Sequence, residues 1–364
     1  MEKPILLSSD KEIGGDFSLT PSSLESSPTN DYLQEDEDTC FLSTCRSAIT
    51  EILYNTQPAN NKLAFVPSFT CHVCVEPFVK DGYEVYPYSV ETNLCVNWGK
   101  LLEDADRLKP SVILIHSYFG LNTLVGDKEA IELLRKRKIV IIEDLTHGMF
   151  SSFKRLKADY FIGSLRKWLP IPDGAFIKGL ALQEKDYCED DELVKKKLDA
   201  MLMKGSFQEM ATQENSGYRK AGVDAEHFLD TRIHTYRMSE VSKRIFNTYD
   251  IETIKKQRRE NFNCLYDILE KCSIIYPVLS KCKESESPYM FPLYVEEGRS
   301  EFQKYMVSNK VFPTIIWGCP EDLLSKIDDN ARYIYDHIIC VHCDHRYNTE
   351  DMKRVGLLIN EFSK

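Results

Sequence analysis

The sequence lacks a long apolar run. In its 364 residues, no segment approaches the roughly 20 consecutive apolar residues that a membrane-spanning helix needs. The first residues, MEKPILLSSDKE, also lack the apolar core of a secretory signal peptide. We therefore expect no membrane segment and a cytoplasmic location.

An excess of positive charge is also missing. The chain has 46 Lys and Arg against 57 Asp and Glu, a formal net charge of -11. Nucleic acids and anionic membranes attract clustered positive charge, whereas the basic runs RKRK and VKKKL are short and lie beside acidic residues, as on solvated helix faces. We expect small-molecule substrates as partners, and neither nucleic acid nor membrane.

Cysteine, in contrast, is plentiful, with twelve residues. Without a secretory signal these are expected to be reduced thiols. Two Cys-x-x-Cys pairs, Cys71 with Cys74 and Cys340 with Cys343, could together supply four thiolates to a structural zinc. Neither pair has the Gly-rich surroundings of a zinc ribbon, and most of the chain separates them, so we expect no metal site.

The middle of the chain alternates between strand and helix patterns. SVILIH, IVIIED and ADYFIGS are near-continuous apolar strands, and GDKEAIELLRKRK is an amphipathic helix. This alternation is typical of a parallel sheet covered on both faces. After about residue 230 a long helical stretch is followed by short strands. We predict an α/β protein with a mainly parallel sheet in a large domain, residues 1–235, whose amino-terminal segment is extended, and a smaller α+β domain, residues 236–364.

Polar residues follow the predicted strands. His116, Asp144 and Ser164 end strands and Lys167 comes just after one, and the chemistry of parallel sheets gathers at this edge. An aldehyde cofactor such as pyridoxal phosphate needs a lysine for a Schiff base, a carboxylate beside its ring nitrogen and a cradle for its phosphate. Lys167, Asp144 and the polar turn at residues 44–46, before a helix, offer these three parts.

Several motifs carry a family resemblance. TCRSAI, VPSFTCHVCVEPF, IHSYFG, IIEDLTHG and GSLRKWLPIPDG occur in this order and resemble the DegT/StrS family of pyridoxal-phosphate-dependent sugar aminotransferases, which have fold type I of the aspartate aminotransferase superfamily. The resemblance extends from about residue 10 to the end of the chain. Its most specific part is IIEDLTHG with a lysine some twenty residues later.

The resemblance implies an activity and a set of roles. An amino group would pass from an amino acid, usually glutamate, to a keto sugar, commonly a nucleotide-linked one, and the enzyme would be a homodimer. Lys167 would be the catalytic lysine, with its pKa lowered by burial near the cationic cofactor ring. Asp144 would pair with the ring nitrogen and His147 would lie beside the ring. Related dehydratases carry histidine in place of this lysine, so Lys167 favours transamination.

The cofactor pocket departs from the family pattern at three positions. The resemblance implies a phosphate site formed by Thr44, Cys45, Arg46 and Ser164. Cys45 replaces a glycine, so its turn must close without a positive φ or carry strain. Cys71 replaces an aromatic residue that stacks on the cofactor ring, which leaves His72 or a neighbouring residue as a candidate. Thr235 replaces an asparagine that reaches the phosphate of the neighbouring subunit.

Two alternatives remain open. The same fold and cofactor could support a lyase or an aldolase, because the pocket walls choose the outcome. The departures at Cys45, Cys71 and Thr235 also fit a non-catalytic or zinc-binding scaffold. The sequence does not identify the sugar, and its candidate anion contacts are Arg219, Lys220, Arg237 and Arg346.

Overall fold

The computed structural model describes residues 11–27, 32–33, 38–56, 61–183, 186–210 and 216–363, with backbone alone for Met210 and Ser216. Its strands are β1 Ile13–Gly14, β2 Thr39–Leu42, β3 Leu63–Pro67, β4 Glu84–Tyr88, β5 Val112–His116, β6 Val140–Asp144, β7 Tyr160–Ser164, β8 Ala175–Lys178, β9 Ile275–Pro277, β10 Phe291–Val295, β11 Val311–Phe312 and β12 Ile338–Val341. Its helices are α1 Pro21–Glu25, α2 Cys45–Thr56, α3 His72–Lys80, α4 Trp98–Leu108, α5 Asp127–Lys136, α6 Asp191–Met210, α7 Ser216–Asp230, α8 Glu240–Phe246, α9 Ile251–Leu269, α10 Arg299–Ser308, α11 Asp329–His337 and α12 Thr349–Phe362.

A seven-stranded sheet with the order β2-β8-β7-β6-β5-β3-β4 forms the centre of the fold. The five strands from β3 to β7 run parallel, whereas β8 is antiparallel to β7 and β2 is antiparallel to β8. This confirms the predicted mainly parallel sheet. The carboxyl ends of β3, β5, β6 and β7 therefore meet at one edge.

The central strands are apolar because both of their faces are covered. Every residue of β3 and β5 is buried, and Phe65, Ile113 and Ile141 are fully inaccessible to solvent. Each such side chain stabilises the fold by about 1.5–3 kcal/mol. The stripe of Ala48, Ile49, Ile52 and Leu53 is buried on α2, as its spacing predicts, and α2 packs against β7, β8 and α3.

The carboxy-terminal part has its own small sheet. Strands β9, β10 and β12 form an antiparallel sheet in the order β12-β10-β9, and α9 and α12 pack against each other. The stretch that the sequence indicates as one long helix is two helices, α8 and α9, separated by residues 247–250, with Asp250 capping α9 through its side chain. The boundary at residue 235 stays a prediction.

The amino-terminal segment is held against the rest of the chain. Part of the predicted extended segment lies outside the described residues. Within them, Ile13 and Gly14 pair in parallel with β11, and the Gly14 amide donates to the Tyr347 hydroxyl at 2.7 Å. The Leu19 amide donates to the Met201 carbonyl at 3.1 Å. The segment is thus held by β11, by Tyr347 and by α6.

No helix in the described ranges has both the length and the apolarity to cross a membrane.

The two parts of the chain meet tightly at Gly120. A Cβ built on Gly120 would lie 1.9 Å from the Ser287 carbonyl oxygen, and the residue has φ +83°. The Tyr289 amide donates to the Phe119 carbonyl at 2.8 Å, which holds the two loops together. Glycine is therefore required here for both its conformation and its lack of a side chain.

We predict that Gly120→Ala lowers the free energy of unfolding by about 3 kcal/mol or more. The alanine would have to adopt a strained positive φ, and the backbone at Ser287 would have to move away from its Cβ. Gly82→Ala is the matched control: Gly82 has φ +77° but no atom within 4 Å of the built Cβ. The control should lose only about 1 kcal/mol. Urea unfolding of the two variants measures the difference, and equal losses would contradict the close approach.

Candidate active site

The site lies at the carboxyl edge of the large sheet. His116 ends β5 and pairs directly with Asp144, which ends β6. Strand β3 has β4 on one side and β5 on the other. The direction in which successive strands are added to the sheet therefore reverses between β3 and β5. Ligands of open α/β sheets bind at such a switch point. The sheet topology thus brings together polar residues that are far apart in the sequence.

A short helical turn, Leu165–Lys167, carries the candidate lysine. The turn follows β7 directly, and the Leu165 amide donates to the Gly174 carbonyl at 3.0 Å. The next residue, Trp168, is fully buried, and its indole Nε1 donates to the Thr146 carbonyl at 2.6 Å. This anchored tryptophan fixes the backbone beside Lys167.

A cavity of about 230 Å³ opens at this edge. Eight of the ten site residues predicted from the sequence line it. They are Thr44, Cys45, Arg46, Cys71, Asp144, His147, Ser164 and Lys167. His116 lines the same cavity, and its Nε2 lies 3.3 Å from the Thr70 hydroxyl.

His72 and Thr235 do not reach this cavity within the chain. The His72 side chain is 60% exposed and its Nε2 lies 3.9 Å from Glu76 Oε2. Cys71, the residue before it, lines the cavity instead, so the position of His72 argues against ring stacking. Thr235 lines a neighbouring cavity together with Thr44 and Arg46, and its contact with a second subunit stays a prediction.

Asp144 is held by the turn that follows β6. Its Oδ1 accepts from the Thr146 amide at 2.7 Å, and its Oδ2 lies 3.7 Å from Cys74 Sγ. The Thr146 hydroxyl accepts from the Ser164 amide at 3.1 Å and lies 3.6 Å from Cys45 Sγ. Thr146 therefore connects β6, β7 and the start of α2. Because it bonds to Oδ1, the Oδ2 of Asp144 is left to accept from a donor stronger than the Cys74 thiol.

His147 stands among aromatic rings with one free nitrogen. Its Nδ1 accepts from the Phe119 amide at 3.3 Å, and Phe119 has a φ of +53°, which is rare for a bulky residue. The His147 ring stacks on Tyr289 at 4.6 Å and on Trp317 at 5.1 Å. Among the described residues, its buried Nε2 has no hydrogen-bond partner.

The amino terminus of α2 contributes backbone amides. Thr44 caps the helix, since its hydroxyl accepts from the Ser47 amide at 3.1 Å. The first amides of a helix have no acceptor within it, so those of Cys45 and Arg46 are available to an anion. Cys45 is not among the residues with positive φ, so this turn closes without the glycine conformation.

The Arg46 side chain is occupied by carboxylates. Its Nε lies 2.7 Å from Glu76 and its Nη2 lies 2.9 Å from Asp230. The side chain of Arg46, a residue that the resemblance places in the phosphate site, is thus paired with two acids in this chain. Any contribution of Arg46 to an anion site here comes from its backbone amide.

A second cavity, of about 320 Å³, adjoins the first. Both cavities share Arg166, Lys167, Glu226, Ile316 and Trp317 as lining residues. Six cationic side chains line the second cavity: Arg166, Lys167, Lys197, Lys204, Arg258 and Arg346. Three carboxylates line it: Asp16, Glu226 and Asp344. A protein of net charge -11 therefore concentrates positive charge beside Lys167.

Sequence reasoning missed the residues that come from distant elements. Trp317 follows β11, Glu226 lies on α7, and Cys74 lies in the first turn of α3. Glu226 accepts from Arg166 at 3.0 Å and also pairs with Lys197. No local motif marks Trp317 or Glu226; only the spacing of Cys74 from Cys71 gives a signal. Of the candidate anion contacts, Arg346 lines the second cavity but pairs with Asp344 at 2.8 Å.

The electrostatics of the first cavity favour neutral imidazoles. Burial lowers the pKa of His116 to about 4, although Asp144 opposes the shift. Burial and the charge of Lys167 hold the pKa of His147 well below its usual value. For Lys167 itself, burial lowers the pKa, but the charges of Tyr289 and Cys71 raise it, with a net rise. The lowered pKa that we expect for Lys167 beside a cationic cofactor ring is therefore not produced by the protein alone.

Comparison with solved structures shows the fold class. The chain has the architecture of fold type I aminotransferases, which confirms the predicted fold. No family model matches the chain, and no curated protein is similar to it in sequence.

Three solved structures illustrate the likeness. Helicobacter pylori PseC, an aminotransferase involved in the biosynthesis of pseudoaminic acid, matches with a TM-score of 0.69 over 96% of this chain and 99% of that chain, at 12% identity. A putative sugar aminotransferase from Streptococcus pneumoniae, in its PLP form, gives 0.65 over 96% and 93%, at 14% identity. A DegT DnrJ EryC1 StrS aminotransferase from Brucella abortus gives 0.64 over 89% and 86%, at 13% identity.

Lys204, in the second cavity, generates a pH-dependent prediction. The residue is 3% exposed and its Nζ donates to the Asp16 carbonyl. Burial and the charge of Arg346 lower its pKa to about 8, against the opposing charges of Asp16 and Glu12. Between pH 8 and the usual lysine pKa the unfolded chain binds more protons than the folded one, so this residue makes stability rise with pH.

We expect the unfolding free energy of the wild type to rise by about 2 kcal/mol relative to Lys204→Met between pH 7 and about pH 9.5. Urea unfolding of both proteins at the two pH values measures this, since other titrations cancel in the difference. A constant difference between the two proteins would contradict the lowered pKa.

Proposed function

We propose that this chain is a pyridoxal-phosphate-dependent aminotransferase that moves an amino group from an amino acid, with glutamate as the donor, to a keto sugar, with Lys167 as its catalytic residue. The observation that carries the proposal is that Lys167 and Asp144 line one cavity at the switch point of the sheet. The named activities of the similar structures support it.

The residues that line the cavity fit this cofactor. The Asp144 Oδ2 accepts from the Cys74 sulfur, a weak donor, at 3.7 Å, so a cationic N–H from a ring nitrogen would be a stronger partner. The buried Nε2 of His147 has no partner among the described residues and can bond to a polar ring substituent. The free amides at the start of α2, with the Ser164 hydroxyl, suit a phosphate.

The roles of the chain's own groups follow from these positions. Pyridoxal phosphate supplies an aldehyde for a lysine amine and a ring that takes up electrons when it is protonated. Asp144 would keep the ring nitrogen protonated, because its carboxylate is the partner of that proton. Lys167 Nζ would take a proton from the donor's α-carbon and return it at the cofactor, as a positioned base. Trp317 and Tyr289, which flank His147, would exclude water.

The second cavity is the proposed place for the substrates. Its excess of cations suits the carboxylates of glutamate and the anionic part of an acceptor, and a nucleotide-linked sugar would supply a diphosphate there. The shared lining residues let a ligand in the second cavity reach Lys167.

The test is absorption spectroscopy of the purified protein with pyridoxal phosphate. We expect a violet band that shifts to shorter wavelength when glutamate is added, with release of 2-oxoglutarate, and that returns on addition of a suitable keto sugar. Borohydride reduction should attach the cofactor to the peptide that contains Lys167. Lys167→Ala should lose this adduct and at least about 10³-fold of the activity.

Lys154→Ala is the matched control, because Lys154 is exposed and does not line either cavity. This variant should keep both the adduct and the activity. A wild type without a band or lysine adduct would contradict the proposal and favour the scaffold alternative. A band that glutamate leaves unchanged would favour a lyase or an aldolase.

We also propose that the chain acts as a homodimer. Thr235 lines a cavity outside the first one, and two exposed apolar residues line the same surface cavity: Ile233, 77% exposed, and Tyr54, 74% exposed. Covering these side chains by a second subunit would remove apolar surface from water. The cofactor-binding role of Thr235 would then belong to the partner's site.

Light scattering should give twice the mass of one chain for the wild type. Ile233→Asp should shift the protein towards the monomer, because a charge at the interface would lose its solvation. Leu324→Asp is the control, since Leu324 is 58% exposed and lies away from that cavity. A monomeric wild type at micromolar concentration would contradict the dimer.

A further inference from the structure

A pair of thiols lies in the first cavity, and the proposed function does not use it. Cys71 precedes α3 and Cys74 lies in its first turn, where the Cys74 amide donates to the Cys71 carbonyl at 3.1 Å. The two sulfur atoms lie 3.5 Å apart. A disulfide bond has a length of about 2 Å, so a small movement of one side chain would allow a bond.

The two thiols differ in access and in charge. Cys71 is partly exposed and lines the cavity with Lys167, whereas Cys74 is buried. The hydrogen bond between Cys71 and Cys74 lowers the pKa of Cys71 to about 6, with help from Lys167 and against the effect of burial. The hydrogen bond with Cys71 and burial raise the pKa of Cys74 well above its usual value. Cys71 is the nucleophile of such a pair and Cys74 is the resolving thiol.

The backbone beside Cys71 is fixed from the other part of the chain. The Tyr335 hydroxyl accepts from the Thr70 amide and donates to the Thr70 carbonyl, both at 2.9 Å. Tyr335 is on α11, in the carboxy-terminal part of the chain. These hydrogen bonds hold the backbone beside Cys71 at the cavity wall. The short distance between the two sulfur atoms is therefore set by the tertiary structure.

The second Cys-x-x-Cys pair provides a contrast. Cys340 and Cys343 have no exposed surface, and burial raises the pKa of both thiols. The described residues also contain no group of three or more side chains that could bind a metal. The same spacing thus occurs once at a cavity wall and once in the core.

We propose that Cys71 and Cys74 form a reversible redox site, in which a hydroperoxide that enters the cavity oxidises the pair to a disulfide. The Cys71 thiolate attacks the peroxide, an O–O bond breaks, and Cys71 becomes a sulfenic acid while hydroxide leaves. The Cys74 thiol then attacks the Cys71 sulfur and water leaves. In sum, the two thiols lose two electrons and two protons, and hydrogen peroxide takes up both to become two waters.

The oxidation would alter the cofactor site. The disulfide removes the Cys74 proton that faces Asp144 Oδ2 at 3.7 Å and moves the Cys71 sulfur at the cavity wall. Bound cofactor would in turn shield Cys71 from peroxide, since both occupy the same cavity. This coupling rests on the proposed function, whereas formation of the disulfide does not.

The experiment treats the full chain, without added cofactor, with hydrogen peroxide and then blocks free thiols by alkylation. Trypsin releases Cys71 and Cys74 in one peptide, residues 63–80, and Cys340 and Cys343 in another, residues 333–346. We expect the first peptide to lose two hydrogens and both alkylation sites, at least about tenfold faster than the second. Dithiothreitol should restore both thiols.

Two variants separate the steps. In Cys74→Ser the oxidation should stop at a sulfenic acid on Cys71, which dimedone traps. In Cys71→Ser the Cys74 thiol should be oxidised no faster than the buried thiols Cys340 and Cys343, so it should remain available for alkylation. A first peptide that keeps both thiols, or equal oxidation of the two peptides, would overturn the proposal. Prior addition of pyridoxal phosphate should slow the reaction several-fold. Disulfide formation without this shielding would support the redox site and count against the proposed cofactor cavity.

Discussion

A carboxylate at the buried end of a central strand needs hydrogen-bond donors, and the rest of the site depends on how Asp144 obtains them. The Thr146 amide supplies one donor at 2.7 Å. The same residue accepts from Ser164 through its hydroxyl and from Trp168 through its carbonyl. Because burying an unpaired charge is costly, this turn is constrained, and the constraint passes to the backbone on either side of Lys167.

The distribution of charge follows a similar logic on a larger scale. The chain is acidic as a whole, yet six cationic side chains gather in the second cavity, beside the first. Glu226 compensates Arg166 and Lys197, whereas Lys204 has a backbone carbonyl and a lowered pKa. Keeping an incompletely paired cation in a protein interior lowers stability. This loss of stability is typical of functional sites, where a bound anion would supply the missing partner of the cation.

The sequence predicted those parts of the fold and the site that depend on local patterns. Apolar runs gave the parallel strands, and the residues just after them, Asp144, Ser164 and Lys167, could be placed at one edge because parallel strands share their direction. Trp317 and Glu226 could not be found in this way, since their position depends on how α7 and the segment after β11 pack against the sheet. The occupation of Arg46 by Glu76 and Asp230 is equally a tertiary effect that no motif records.

The departures from the family pattern have physical consequences of different kinds. Cys45 needs no compensation, because its turn avoids a positive φ. At Cys71 the cavity wall has a thiol where the resemblance implies an aromatic ring, and Trp317 and Tyr289, from the carboxy-terminal part of the chain, stack on His147. The shape of the cavity therefore depends on contacts between the two parts of the chain, such as the one between Gly120 and Ser287. Movement at that contact would change the cavity wall, so binding in the cavity and packing of the carboxy-terminal part are expected to be coupled.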